Sequence, residues 1–337
     1  MTALKKAFFS LSALFPLPVI YRLSGIRVLL PYHHVVSNEH LPHIRNLYAY
    51  KNEKTFEQDL DWLLQHFKPV SAAQLAASAR EQSTLPQQSF LLSFDDGFRE
   101  IHDIVAPMLL KKGVPAIFFI NPAFIDNKEL FYRSKISLVI EKLNNDSSLK
   151  KEFCNHFFGE EKNAVDLRTL LLALDYRQKE TADEWGLKAG IDFDNFLQTV
   201  QPFMTTSHLH KLSGDGFTIG AHSWDHPHYR MLSLDEQLKQ TDRSLDFVRT
   251  FNELEVFAFP HQDHQVSQEF FDHQKQKEKK PLFFGLQNQK SEDDNFILHR
   301  YNAEDPGQDF SSLTKGILLY NSLLRRAGKQ TVKRQLH

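Results

Sequence analysis

Two short polar motifs, Ser93-Phe94-Asp95-Asp96-Gly97 and Gly220-Ala221-His222-Ser223-Trp224-Asp225-His226, each end an apolar run: Phe90-Leu91-Leu92 in one case, Phe217 to Ala221 in the other. Short apolar runs of this kind read as buried parallel strands. Gly97 lets the backbone turn sharply, which leaves Asp95 and Asp96 at the C-terminal end of a strand. In α/β barrels that end carries the functional groups. In the second motif two imidazoles stand at i and i+4, a spacing that predicts a helical turn presenting both on one face, stopped by Pro227. Alone, Asp-Asp-Gly is ordinary turn material, and 17 His among 337 residues produce some i, i+4 pair by chance. Their joint occurrence at two strand ends is what points to a site.

The residue types suit one chemistry. A carboxylate and two imidazoles hold a borderline divalent ion and leave room for a water, whose pKa such an ion lowers from about 15.7 to about 7. The second carboxylate is then free to take the proton. On an extended chain adjacent side chains point to opposite sides, so one aspartate binds and its neighbour acts as base. The residues themselves leave open which does which.

A longer pattern surrounds these motifs. Val28-Leu29-Leu30-Pro31-Tyr32-His33-His34-Val35 precedes Phe56-Glu57-Gln58-Asp59-Leu60-Asp61-Trp62-Leu63, and the stretch from Pro107 through Gly113 to Ile120 follows Gly97. With the segment His222 to His228, this resembles the polysaccharide deacetylases of the NodB-homology type, carbohydrate esterase family 4, over roughly residues 26 to 305. The resemblance implies a distorted (β/α) barrel with a zinc-like divalent ion, cobalt and nickel being alternatives. It also implies hydrolysis of an N-acetyl or related acyl group on a sugar or glycan. Position by position, it makes Asp95 the catalytic base and Asp96, His222 and His226 the metal ligands.

The chain departs from that pattern at one place. The family has an Arg two residues before a Pro followed by an aromatic, whereas Phe257-Ala258-Phe259-Pro260-His261 puts Ala258 and His261 at those positions. One branch carries a late Arg instead, which makes Arg300 the expected partner of Asp95. The spacing Ile297-Leu298-His299 makes His299 the acid that protonates the leaving amine; an alignment anchored on Arg300 leaves His299 without a role. Near the strand ends, His33 and His34 straddle two faces of one strand, so only one of them points into the barrel mouth. His33, Pro260 and His261 are the expected substrate contacts.

Composition fits a large core, with 41% hydrophobic residues and 29 Phe, and a formal net charge of -2 gives no general attraction to nucleic acid. A single cysteine, Cys154, excludes an intramolecular disulfide and gives no sign of an oxidising compartment. Residues 1–25 form an apolar segment behind Lys5-Lys6. Pro16 and Pro18 interrupt it and no small-residue cleavage site follows, so it reads as neither a signal peptide nor a membrane span. It is expected to pack on the barrel or rest on a membrane surface, with cytoplasm as the default location.

A barrel over residues 26–310 is expected to hold a helical insertion at about 126–210, because Ile136 to Leu143, Leu149 to Phe158 and Leu167 to Leu174 have helical spacing. Residues 311–337 read as a helix and a basic tail, a second candidate for membrane contact. The function expected is metal-dependent deacylation of a carbohydrate. An amidase or esterase on another acyl substrate and a non-catalytic sugar-binding relative are the alternatives.

Overall fold

The computed structural model describes residues 8–334 apart from 10, 13 and 160–165. Eleven short strands run through it: β1 (Val28–Leu29), β2 (Pro31–His33), β3 (Lys68–Pro69), β4 (Ser89–Phe90), β5 (Leu92–Phe94), β6 (Ala116–Ile120), β7 (Thr218–Ala221), β8 (Val256–Ala258), β9 (Leu282–Gly285), β10 (Ile297–His299) and β11 (Tyr301–Asn302). Eight form one sheet in the order β10-β9-β8-β7-β6-β5-β2-β11, with every neighbouring pair parallel. Its two ends are halves of a single run of chain interrupted at Arg300. The Arg300 amide donates to the Gly285 carbonyl on one side (2.8 Å) and the Tyr301 amide to that of Leu30 on the other (3.1 Å). This run closes the sheet into a barrel. The barrel is distorted, since β7 and β8 share only the pair Ala221 and Phe257. Below it, β1, β4 and β3 form a small parallel sheet that leads β2 and β5 into the barrel.

Strand alternation divides the apolar runs between two layers. In β6, Ala116, Phe118 and Ile120 pack under the outer helices. Ile117 and Phe119 fill the barrel interior with Leu91, Val256, Ala258, Leu282 and Phe284. The outer helices start where the sequence supplies caps. Asn52 caps Glu53–His66, Ser71 and Gln74 form a capping box for Ala72–Ala79, and Ser233 and Glu236 do so for Leu234–Val248. Asp309 caps the last helix, Phe310–Arg326, along which the N-terminal helix Leu17–Ser24 packs.

Between β6 and β7 the chain forms helices Tyr132–Asn144, Ser147–Phe158, Leu167–Leu172, Thr181–Lys188 and Phe193–Val200. Ile136, Val139, Phe153, Leu171 and Trp185 build a separate apolar cluster there. It is completed by Val35, Phe98 and Phe124, which follow the C-terminal ends of β2, β5 and β6. These helices therefore lie over the mouth of the barrel and not along its side.

Candidate metal centre

Leu91 faces the barrel interior, so alternation directs Ser93 and then Asp95 there as well. The Asp95 amide extends the pairing by donating to the His33 carbonyl (2.9 Å). Asp96 then breaks the alternation. Its φ of +73° and that of Gly97, also +73°, swing the chain back, which turns the Asp96 side chain toward the same mouth. Asp tolerates this left-handed conformation because its short polar side chain bonds locally. At Gly97 a Cβ would in addition lie 3.2 Å from Ile120. Two adjacent carboxylates, both almost fully buried, thereby converge.

His222 continues β7, its amide donating to the Ile120 carbonyl (2.9 Å). Its Nδ1 lies 2.8 Å from the Ala258 carbonyl. A carbonyl only accepts, so Nδ1 carries the proton and the Nε2 lone pair faces the carboxylates. Nε2 of His222 is 3.6 Å and Nε2 of His226 is 3.3 Å from Asp96 Oδ1. The helical turn expected for this motif does not form. Ser223 and His226 both have a φ of +63°, and the Ser223 hydroxyl accepts from the His226 amide (3.1 Å), closing a tight loop. Asn121 braces the loop by donating to the carbonyls of His222 and Ser223. The imidazoles meet because the loop folds back, not because of a 3.6-residue repeat.

This donor set fits a divalent cation. Asp96 Oδ1 is buried with no hydrogen-bond donor of its own, and it faces two imidazole nitrogens. Burial alone raises the Asp96 carboxyl, but His226 and then His34 and His222 outweigh it and hold it well below the usual carboxylate range. Burial lowers the His222 ring to about 4, with the opposing pull of Asp95 too weak to reverse it. An anionic oxygen and a neutral imidazole are the states that ligate metal.

Leu298 and Arg300 face inward from the closing run. The Arg300 guanidinium grips Asp95 at both oxygens (2.6 and 2.8 Å) and donates to the Ser93 hydroxyl (3.0 Å). It lies over the rings of Tyr32 (4.6 Å) and Phe119 (5.1 Å). Burial raises the Asp95 carboxyl, yet the Arg300 charge and hydrogen bonds, joined by His222 and His34, together outweigh it and the net shift is downward. The contact expected between Arg300 and Asp95 is thus present, made from β10 and β11, while Ala258 contributes only its carbonyl to His222.

Two other expectations need correction. His299 lies between the inward Leu298 and Arg300, so its ring points out of the barrel, away from the mouth where it was expected to protonate a leaving amine. There Nε2 meets Glu292 (3.0 Å) and Nδ1 lies 3.8 Å from Asp263. His33 also points outward. It stacks on Phe94 (5.6 Å) and meets the edge of Phe56 (5.3 Å), with 1% of its surface exposed, so it cannot touch a substrate at the mouth. His34 takes the inward position. Its Nδ1 bonds Glu304 (2.7 Å), whose other oxygen accepts the amides of His34 and Val35 (2.9 and 3.0 Å). Burial opposes charging of this ring, but Glu304, with Asp96 and Asp95 behind it, raises it to about 9. Pro260 is buried just after β8. His261 stacks on His228 (3.5 Å) and meets His226 edge-on (4.6 Å), so it backs the His226 ring. His34 and Glu304 are the residues that sequence reasoning missed. The His33-His34 pair was the signal for the first, and nothing local marked the second.

The group around His299 also has metal-like spacing, with Asp263, Glu292 and His299 offering ligand atoms within 4.8 Å of one another. Its positive charge comes from the tail. Arg334 donates to Asp263 (2.8 Å), to the Asp263 carbonyl (2.7 Å) and to Glu292 (2.6 Å), and its side chain is 2% exposed. Part of the basic tail is therefore buried. Burial raises the Asp263 carboxyl, but His299 and Arg334 outweigh it and the net shift is downward. Arg334→Ala is expected to cost about 3 kcal/mol in a denaturant titration at pH 7, because it removes the cation shared by two buried carboxylates. A depressed carboxyl stabilises above its unfolded pKa, so the difference from wild type should shrink as the pH falls below about 4. A loss under about 0.5 kcal/mol at pH 7 would show a tail that merely rests on the surface.

No family model matches the chain, and no curated protein matches it in sequence. Among solved structures it is similar to the Streptococcus pyogenes deacetylase PplD in complex with acetate, 11% identical, with 87% of this chain and 98% of that one covered and a TM-score of 0.55. It is also similar to IcaB from Ammonifex degensii, 13% identical over 87% of this chain and 98% of that one, with a TM-score of 0.53. For a de-N-acetylase from Aggregatibacter actinomycetemcomitans the values are 13%, 86%, 99% and 0.54.

Proposed function

We propose that this chain, which has the NodB-type deacetylase fold, is a metal-dependent hydrolase that removes N-acetyl groups from a carbohydrate. The observation that carries the reading is the convergence of Asp96, His222 and His226 beside a separate carboxylate, Asp95, held by Arg300. One carboxylate oxygen and two imidazoles suit zinc, and cobalt or nickel as well. A bound ion of this kind polarises an acyl carbonyl and lowers the pKa of a water to about 7. Asp95 is the base. Arg300 keeps it ionised and fixes its plane, and each of its oxygens retains a lone pair beyond those given to the guanidinium. Oδ2, 3.8 Å from His222 Nε2, faces the ligand set and is the acceptor. His34 replaces His299 as proton donor to the leaving amine: with Nδ1 on Glu304, its other ring nitrogen is free to donate. The likeness to proteins described as a deacetylase and a de-N-acetylase favours an acyl amide as the bond cleaved. The Arg300 pair removes the ground for a non-catalytic reading, which rested on the absence of an Arg at 258.

The test is acetate release from N-acetylglucosamine oligomers by the metal-loaded protein, with free amine appearing in equal amount. Metal-loaded protein that binds such oligomers and releases no acetate would be a sugar-binding protein. In the same assay Arg300→Met should slow turnover and move the acidic limb of the pH profile upward, since the guanidinium is foremost among the groups that hold the base below its ordinary pKa. Metal content should not change. An unmoved limb would separate Arg300 from the base.

A further inference from the structure

We propose that the paired terminal helices form a docking face for an anionic membrane surface. Nine large hydrophobic side chains are exposed among the described residues, and seven of them, Leu11, Leu14, Phe15, Val19, Leu23, Tyr320 and Leu323, lie on these two segments. Leu14 is 78% exposed. Such a concentration on one part of a surface marks an interaction site.

The segments are held as a unit. Phe9 rests on Gly316, where a Cβ would come within 2.0 Å of its ring. Ser12 donates to the Ser312 carbonyl (3.2 Å), Ser322 to that of Ile20 (3.3 Å) and Gln330 to that of Ser24 (2.8 Å). On Leu17–Ser24 the inward residues are Ile20, Tyr21 and Ser24, which leaves Val19, Arg22 and Leu23 outward. The apolar side chains are therefore displayed by packing.

Charge identifies the occupant. Residues 1–37 and 310–337 contain ten Lys and Arg and no Asp or Glu, in a chain whose formal net charge is -2. Among the described residues Arg22, Arg326 and Lys329 are exposed and make no ion pair. On the neighbouring helix Glu53–His66, Asp59 is taken up by Lys51, and Glu57 and Asp61 by Lys112, while Glu53 in the first turn accepts from Asn38. Apolar side chains ringed by uncompensated basic ones fit lipid headgroups with acyl chains beneath. A second copy of the same face would set basic rim against basic rim. No helix among the described residues is long and apolar enough to cross a membrane, so contact is in the plane of the surface.

The experiment is co-sedimentation of the full chain with vesicles of phosphatidylcholine, alone or mixed with phosphatidylglycerol. Binding is expected only to the mixed vesicles and should weaken as salt rises, because exposed charges are screened. Leu14→Glu with Val19→Glu, and separately Arg22→Glu with Arg326→Glu, should each reduce binding by roughly tenfold or more. Leu187→Glu, at an exposed apolar residue of the inserted helices, should leave it unchanged. Unaltered circular dichroism melts show that the variants fold, since every substituted side chain is exposed. Equal binding to both vesicle types, no loss in either pair of variants, or a dimer in free solution that the same variants dissolve would overturn the proposal. None of these readouts depends on turnover.

Discussion

Alanine at His222 or His226 is expected to abolish tight metal binding and turnover together, whereas the purified wild-type chain should carry about one divalent ion and lose activity to a chelator. The basis is geometric. Asp96 Oδ1 is buried without a donor, and among the described residues the nitrogens within ion-pair range of it are the two imidazole Nε2 atoms, at 3.6 and 3.3 Å. Removing one imidazole leaves two protein ligands, one fewer than an open catalytic site of this kind uses. The loss should far exceed the roughly 100-fold that follows when only an outer partner of a ligand is removed. Metal content after dialysis, read by elemental analysis, decides the matter. Normal content in both variants would remove the site. Because burial keeps the His222 ring uncharged down to about 4, metal uptake at neutral pH should release no proton from that ring.

Asp95→Asn should retain metal while turnover falls by roughly 10² to 10⁴, since the amide cannot accept a proton from water. The structure adds a consequence that the sequence does not show. Asp95 is also the counter-charge of Arg300, whose side chain is 1% exposed, so the neutral amide strands a buried guanidinium. The single variant should therefore lose about 3 kcal/mol of stability as well as rate. Combining it with Arg300→Met should restore much of the stability and none of the rate, which separates the two roles of the carboxylate. Full metal loss in Asp95→Asn with metal kept in Asp96→Asn would reverse the assignment within the pair.

The barrel was legible because its signals are local. Apolar runs bounded by turns, and Gly97 after two aspartates, are fixed by short-range preferences of the chain. Asp95, Asp96 and His222 were legible for the same reason, since they follow directly on strands whose ends are marked in the sequence, and His226 was legible from its spacing to His222. The helices over the mouth were visible as periodicity, but not where they lie, because Val35, Phe98 and Phe124 become their neighbours only when three strands are brought together.

What the sequence by itself determined is the set of elements and the residue types that close them. Tertiary structure decided which way individual side chains face. The His222 to His226 spacing predicted a helix, and a loop with two left-handed residues formed instead, because Asn121 from the neighbouring strand holds its carbonyls. His33 against His34, and His299 against Arg300, are pairs of adjacent residues on strands. In a strand a shift of one position exchanges inside for outside, and only the register against neighbouring strands fixes that choice. Register placed Arg300 on Asp95 and sent His299 outward to Glu292, which Arg334 of the tail also grips, an association between segments that no local preference encodes.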